Sequence, residues 1–271
     1  MLQKVHFSPR YMQDDLTHHD YKVKAYIKIC EVLNIMEKLY IVIPAYNEEE
    51  NILEIIEEWY PIVKKISKSS RLVIVNDGSE DSTYDIMQEC TKDKSQLIPL
   101  TKENSGHGAT ILYAYHYALN HGADYIFQTD SDRQTLPSDF WLFWNKRKNY
   151  DIIIGHRTRR QDGVSRILIT KVLKMIIRIH FGVTVVDANT PFRLMESNVL
   201  KQNINLIPDD FNLSNIILSV IYQKKGLRVK YIPITFRPRQ GGVNSINMKK
   251  IFRIGIQAVR DFRKIADTLK M

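Results

Sequence analysis

The chain has 271 residues, 44% of them hydrophobic, which is enough for one large core and too little for a second full-sized domain. Its two cysteines, Cys30 and Cys90, exclude a disulfide framework and point to a reducing, cytoplasmic setting. Thirty-nine basic against 30 acidic residues give a formal charge of +9, which favours an anionic partner without choosing among nucleic acid, phosphorylated substrates and anionic membrane surfaces.

Residues 1–35 stand apart as a polar stretch rich in His, Tyr and Asp. Lys4, His6 and Arg10 have no apolar stretch behind them, so the pattern predicts no secretory leader. No run of about 18 apolar residues is present to cross a bilayer. Two readings of this extension stand level. Either Met36 is the true start and the stretch is dispensable, or it is an amphipathic arm, since Tyr26, Ile29, Cys30, Leu33 and Met36 recur at helical spacing. One domain then occupies 36–271.

Within that domain, 39–43 reads as a buried strand, followed by a helix from 48 to about 68 whose Ile52, Ile55, Ile56, Trp59 and Val63 share a face. Residues 71–75 form a second strand running into the turn Asn76-Asp77-Gly78-Ser79, with a helix opening near Ser82. A third strand at 97–100, a helix at 106–120 and a fourth strand at 125–129 continue the alternation. Beyond it the pattern is less regular: a strand at 152–154, helices at 165–181 and 213–224, a strand at 229–236, and a basic helix at 246–269. Strands alternating with helices predict an α/β fold, with a Rossmann-like, mostly parallel central sheet flanked by helices. Three polar clusters, at 44–48, 76–79 and 130–134, fall at strand ends, where open α/β sheets bind ligands.

The most informative cluster is Thr129-Asp130-Ser131-Asp132-Arg133-Gln134. Two carboxylates two residues apart, where an apolar strand breaks into a turn, can approach one hard cation. Mg2+ or Mn2+ accepts such oxygen ligands and keeps positions for substrate phosphates. A bare Asp-x-Asp also occurs in surface turns, and its place after a buried strand is what raises it. Arg157, Arg159 and Arg160 follow the strand at 152–154, and guanidinium groups grip phosphate bidentately. Arg159 and Arg160 read equally well as a solvated turn; Arg157 and Arg239 lie beside glycines that let a ligand approach closely. Other clusters have plainer readings. Asn47 or Glu48 can cap the helix that follows, Asp77-Gly78 suits a turn, and Asp81 or Ser82 suits a cap. Asn104-Ser105-Gly106-His107-Gly108 reads as the opening of a helix in preference to a catalytic His107.

Taken in order, Ile43-Pro44-Ala45-Tyr46-Asn47-Glu48-Glu49, Val75-Asn76-Asp77-Gly78-Ser79-Glu80-Asp81-Ser82-Thr83 and Asp130-Ser131-Asp132 resemble the motifs of family 2 glycosyltransferases, which have the GT-A fold. Asp-x-Asp-x-Gln, with Gln134 as its last member, is similar to polyprenyl-phosphate sugar synthases of the dolichol-phosphate mannosyltransferase type. Gly155-His156-Arg157, Ser165-Arg166, 187–193 and Arg239-Gln240-Gly241-Gly242-Val243-Asn244-Ser245 resemble them too, so that the likeness runs over about 39–250. It implies that Pro44, Tyr46 and Glu48 line a nucleotide pocket, with Asp77 on the base or ribose. Asp130, Ser131 and Asp132 would meet the metal and the diphosphate, with Gln134 as a third metal ligand. Arg157, Arg166, Arg193 and Arg239 would meet donor or acceptor phosphate, and Asp132, Arg157 and Asp210 would carry the catalysis. Two departures leave donor and acceptor open: Asn76 stands where the family commonly has a first acidic residue, and Pro191 stands where a Gly often precedes Phe-Arg.

The implied reaction is an inverting hexosyl transfer from a GDP- or UDP-sugar. A polyprenyl phosphate acceptor is already anionic and needs no base. A hydroxyl of a surface glycan needs one, and Asp209-Asp210 is the candidate pair, which otherwise caps the helix near 213. A lipid acceptor implies peripheral contact with the cytoplasmic membrane face. The basic helix at 246–269 and the stretch 166–181 both have the composition for it, although packing of the terminal helix on the domain is favoured. A basic nucleic-acid-binding module would explain the charge but not the paired carboxylates, so no nucleic-acid partner is expected. A nucleotidyltransferase would need a Gly-rich loop near the first strand, which is absent.

Overall fold

A computed structural model describes residues 37–157 and 164–237, with side chains from 171 onward in the second stretch, together with Phe262, Arg263, Ile265 and Ala266. The N-terminal extension, Arg159, Arg160, Arg239 and most of the terminal helix lie outside the described residues, as does the side chain of Arg166.

The first strand, β1 (Leu39–Ala45), is buried at all seven positions, as a strand covered by helices on both faces must be. Around it a seven-stranded sheet forms in the order β3-β2-β1-β4-β6-β5-β7. The others are β2 (Arg71–Asp77), β3 (Leu97–Lys102), β4 (Tyr125–Gln128), β5 (Ile152–Arg157), β6 (Arg193–Glu196) and β7 (Val229–Ile234). All pairings are parallel except the two made by β6, so six strands end on one edge. The predicted parallel α/β sheet is therefore present. Because side chains alternate along a strand, β1 feeds two cores. Leu39, Ile41 and Ile43 pack with α1 (Ile52–Ile66), α2 (Thr83–Cys90) and α4 (Phe140–Trp144). Tyr40 and Val42 pack with α3 (His107–Asn120), α5 (Val164–Phe181), α6 (Ser197–Ile204) and α7 (Ser214–Lys224).

The first core is organised by Trp59, whose ring lies 5.5 Å from Phe127 and 6.0 Å from Phe192. Removing so large a buried side chain typically costs about 3–5 kcal/mol. In the second core Phe262 is fully buried, 5.5 Å from Phe181 and 6.2 Å from Phe211, with Ile265 and Ala266 buried beside it. At these positions the terminal stretch faces the domain.

Three elements were absent from the sequence reading. β6 is only four residues long, α4 only five, and α6 has eight residues and follows β6 without a break, so each is too short for a periodic pattern to stand out from its neighbours. Helix α1 begins at Ile52 rather than near Glu48, with Asn51 as its N-cap and no side-chain capping bond. The expected caps at Asn47 and Glu48 are thus not made, because these residues belong to a loop tied elsewhere. Helix α7 likewise starts after Leu213 without a side-chain cap from Asp209, Asp210 or Asn212.

Candidate active site

In this strand order the chain moves from β1 outward through β2 and β3, then returns to lay β4 on the other side of β1. That reversal is a topological switch point, where the loops leaving two neighbouring strands part and open a crevice. The clusters at 44–48, 76–79 and 130–134 all lie on this edge, since β1, β2 and β4 run parallel.

Two of them lace into one wall. Asn47, held at φ 51°, receives a bond to Oδ1 from the Glu80 amide (2.9 Å), and its own amide donates to Ser79 Oγ (2.9 Å). The Glu48 amide donates to Thr83 Oγ1, the Glu49 amide to Asp81, and the Ser82 amide back to Glu49. Asp81 accepts from the Thr83 amide as well, closing a local turn, while no side-chain cap forms at Ser82. Of the residues expected to line a nucleotide pocket, Tyr46 is 46% exposed beside this wall. Pro44 is buried within β1 opposite Val75, and Glu48 is buried with its carboxylate accepting from Asn51 Nδ2.

Asp77 ends β2 and turns inward. Its carboxylate accepts from the amides of Ser105 (3.0 Å) and Gly106 (2.9 Å) and from Lys102 Nζ (2.7 Å). Burial by itself would raise its pKa; the Lys102 and backbone donors outweigh that and hold the carboxyl below its ordinary value. The carboxylate expected on a base or ribose is thus already bonded to its own loop. The neighbouring Asn76 bonds Thr101 Oγ1 and the Ser79 amide, an arrangement that fixes the turn in the position of the family's usual first acid.

That loop delivers the N-terminus of α3. Its first residue, His107, reaches across the crevice so that Nε2 lies 2.9 Å from Asp130 Oδ1. Burial opposes the charged imidazolium, but the carboxylates of Asp130, Asp132 and Asp77 prevail and raise the His107 pKa. The helix start expected at 106–108 is present, and its histidine is also a member of the site. The flanking Gly106 and Gly108 were the available signal. A Cβ on Gly108 would fall 2.3 Å from the Asn212 carbonyl oxygen, and one on Gly106 would fall 2.7 Å from Asn212 Oδ1. Phe211 and Asn212 are therefore laid directly over the start of α3, while Asp209 on the same loop has Oδ1 3.5 Å from His116 Nε2, further along that helix, and Asp210 is exposed.

The carboxylate turn is closed at its base by Thr129 Oγ1 and Thr135 Oγ1, 2.8 Å apart. Ser131 is buried within it. Arg133 takes the left-handed conformation (φ 56°), uncommon for such a residue, and its guanidinium meets Glu58 Oε1 at 3.3 Å. This bend returns the Gln134 amide to Asp132 Oδ1 (3.1 Å), while Gln134 Nε2 donates to the Arg237 carbonyl (3.2 Å). Asp130, Asp132 and Gln134 therefore share one tight turn bearing only hard oxygen ligands, which suits Mg2+ or Mn2+. Among the described residues no three His, Cys, Asp or Glu side chains converge as a ligand cluster. Such a cation would depend on substrate phosphate and water for its remaining positions.

Arg157 closes β5 on the same edge. It meets Asp187 through Nε and Nη2, both at 3.2 Å, and its guanidinium lies 5.1 Å from the Phe236 ring centroid. Neither partner was foreseen. Arg193 requires correction. It is fully buried, and its guanidinium donates to the carbonyls of Thr190, Ala188 and Asn215. A cation wrapped in backbone carbonyls inside the core organises the segment 188–193 and does not meet an acceptor phosphate.

Residues 40–240 match the family profile Glycosyl transferase family 2. The chain is 29% identical over 163 residues to the undecaprenyl-phosphate 4-deoxy-4-formamido-L-arabinose transferase of Pectobacterium atrosepticum, a match covering 59% of this chain and 49% of the relative. The enzyme of the same name from Proteus mirabilis is 24% identical over 168 residues, covering 61% and 51%. The chain thus spans about half the length of the curated relatives it matches. Among solved structures it is similar to glucosyl-3-phosphoglycerate synthase from Mycobacterium tuberculosis in complex with Mn2+, UDP-glucose and phosphoglyceric acid. That likeness has a TM-score of 0.65 at 15% identity, covering 85% of this chain and 80% of that one, and it concerns the fold.

Proposed function

The chain belongs to glycosyl transferase family 2, and from that premise we propose that it transfers a sugar, with inversion, from a nucleoside-diphosphate donor to a polyprenyl phosphate. The observation that carries this reading is the turn bearing Asp130, Asp132 and Gln134 at the switch point, with His107 on Asp130. The names of the relatives, all undecaprenyl-phosphate sugar transferases, supply the acceptor class.

In this reaction an acceptor phosphate oxygen forms a bond to the anomeric carbon from the face opposite the leaving group. The bond from that carbon to the diphosphate breaks, and its electron pair leaves with the nucleotide. The acceptor oxygen is already anionic, so no proton need be removed. Asp130, Asp132 and Gln134 would hold Mg2+ or Mn2+, which when bound offsets charge on the departing diphosphate. The laced loops 46–51 and 79–83 give the nucleotide a wall that needs no reorganisation on binding. Arg157, braced by Asp187, brings positive charge to the same edge.

A second reading, transfer to a glycan hydroxyl with Asp210 as base, is favoured by one observation: Phe211 and Asn212, which follow it directly, lie against Gly106 and Gly108, next to His107, whereas Asp209 meets His116.

The test combines nucleotide binding with acceptor choice. UDP or GDP with Mn2+ should raise the melting temperature of the wild-type chain and not of Asp132→Ala, since a ligand binding only the folded state stabilises it. Sugar should then pass to a short-chain polyprenyl phosphate. Absence of any nucleotide-dependent shift would overturn the donor reading. Transfer to oligosaccharide alone, abolished by Asp210→Asn, would favour the second acceptor.

A further inference from the structure

Strand β7 is separated from β4 by β5 and β6, a span of about 14 Å at the usual strand spacing. Its last paired residue, Ile234, stands opposite Arg157. The chain then leaves that neighbour and crosses the strand ends to the carboxylate turn, where Phe236 makes an antiparallel bridge with Thr135. The residues on either side of Phe236 are fastened too. The Thr235 amide donates to Asp139 Oδ2 (2.8 Å). The Arg237 amide donates to the Gln134 carbonyl (2.8 Å), and the Arg237 carbonyl accepts from Gln134 Nε2 (3.2 Å). Thr135, the bridge partner, closes the base of the carboxylate turn through Thr129. The backbone at Phe236 is thus tied to the turn that carries Asp130, Asp132 and Gln134.

The side chain of Phe236 has a different partner. Its ring centroid lies 5.1 Å from the Arg157 guanidinium, within the range of a cation over an aromatic face. Asp187 takes the same guanidinium edge-on, through Nε and Nη2. A carboxylate on one edge still lets the planar group tilt about that edge, and a ring against its face removes that freedom. The donors on Nη1 are spent on neither contact. We propose that Phe236 is a positioning residue. Its ring sets the plane of the Arg157 guanidinium, and its backbone fixes that plane relative to the carboxylate turn, so that Arg157 and the turn hold phosphate as one unit. Assigning that phosphate to sugar transfer rests on the function proposed above; the hold of Phe236 on Arg157 does not.

The experiment is calorimetric titration of the full 271-residue chain with two probes, pyrophosphate plus Mg2+ and inorganic phosphate alone. The first mimics a leaving diphosphate and the second an acceptor phosphate, so the probe whose affinity depends on Arg157 identifies which of them it meets. For that probe Arg157→Ala should weaken binding by about tenfold or more. Phe236→Leu, which keeps an apolar side chain but removes the ring, should weaken it by about three- to tenfold. Phe236→Tyr, which keeps the ring, should lie within about twofold of wild type. Because Phe236 acts through Arg157, adding Phe236→Leu to Arg157→Ala should change affinity by less than about twofold. Melting temperatures should change little, since Phe236 is only half-buried.

Wild-type chain that binds neither probe overturns the proposal, as does wild-type affinity in Phe236→Leu. Equal losses from Phe236→Leu in the wild-type and Arg157→Ala backgrounds overturn it too, because the ring would then act on something other than Arg157. Sugar transfer to detergent-solubilised polyprenyl phosphate separates the two ideas. If wild type fails to transfer while the pattern of affinities holds, the transferase reading falls and the positioning role stands. If wild type transfers and Phe236→Leu keeps both its kcat/KM and its affinity, the reverse holds.

Discussion

His107 Nε2 lies 2.9 Å from Asp130 Oδ1, joining the first residue of α3 to the first carboxylate beyond β4. One residue earlier, the Gly106 amide donates to Asp77 at the end of β2. Two strand ends that flank β1 are thus tied together through the first turn of one helix. The position of the carboxylate turn depends on this tie as well as on the sheet.

Replacing His107 tests it. A partner that orients a ligating carboxylate typically contributes about 10- to 100-fold to metal affinity or activity. His107→Ala should lower Mn2+-dependent sugar transfer by that order while leaving the melting temperature nearly unchanged, because the ring is about half exposed. His107→Gln, which keeps a donor, should recover part of the loss. Steady-state kinetics over a Mn2+ titration measure both. Equal activity in wild type and His107→Ala would show that the contact has no functional consequence.

Gly108→Ala sets two effects against each other. Alanine is the better helix former by about 1 kcal/mol. Its Cβ, however, would lie 2.3 to 2.5 Å from backbone atoms of Asn212 and Phe211, which cannot move as a side-chain tip can. Overpacking of this kind costs about 1–3 kcal/mol, so the clash should win. A lower urea midpoint with an unchanged m-value is expected, together with reduced transfer as the 208–212 loop is displaced.

Asp77 makes stability depend on pH in a definite direction. Its folded-state pKa lies below the ordinary 3.8, so its contribution is fully present above that value and is lost as pH falls through the folded value. Asp77→Asn should be less stable than wild type at pH 7 by about 1.5–3 kcal/mol, the scale of hydrogen bonds to a charged group. The gap should start to narrow as pH falls below about 3.8 and close only below the lowered folded value, where folded wild type also loses the carboxylate. Urea unfolding across pH 3 to 7 reads the gap directly; a constant gap would mean that charge is not the cause.

Arg157→Lys should be far from conservative. The guanidinium meets both Asp187 oxygens while facing the Phe236 ring, and an ammonium cannot reproduce that planar fork. A drop in kcat/KM of about tenfold or more is expected. A change confined to stability would assign Arg157 a structural role only.

Local residue patterns specify the alternation of strands and helices, the parallel sheet, and three polar clusters at strand ends. These are local properties: buried strands are short apolar runs, the helices carry one apolar face, and each turn declares itself in a few adjacent residues. Arg157 and the Asp130-Ser131-Asp132 turn were found in that way. Tertiary structure alone decided what those residues touch. His107 meets Asp130 across 23 positions, Gly106 meets Asp77 across 29, and Arg157 meets Asp187 across 30. None of these distances carries a periodic signal. Arg193 and Arg157 are the same residue type in neighbouring motifs, yet one is closed in by carbonyls inside the core and the other stands at the sheet's open edge. Arg193 opens the reversed strand β6 opposite Ile154, three residues before Arg157 on β5. The difference therefore lies in what folds over each: the carbonyls of Ala188, Thr190 and Asn215 enclose Arg193, while Asp187 and Phe236 meet Arg157.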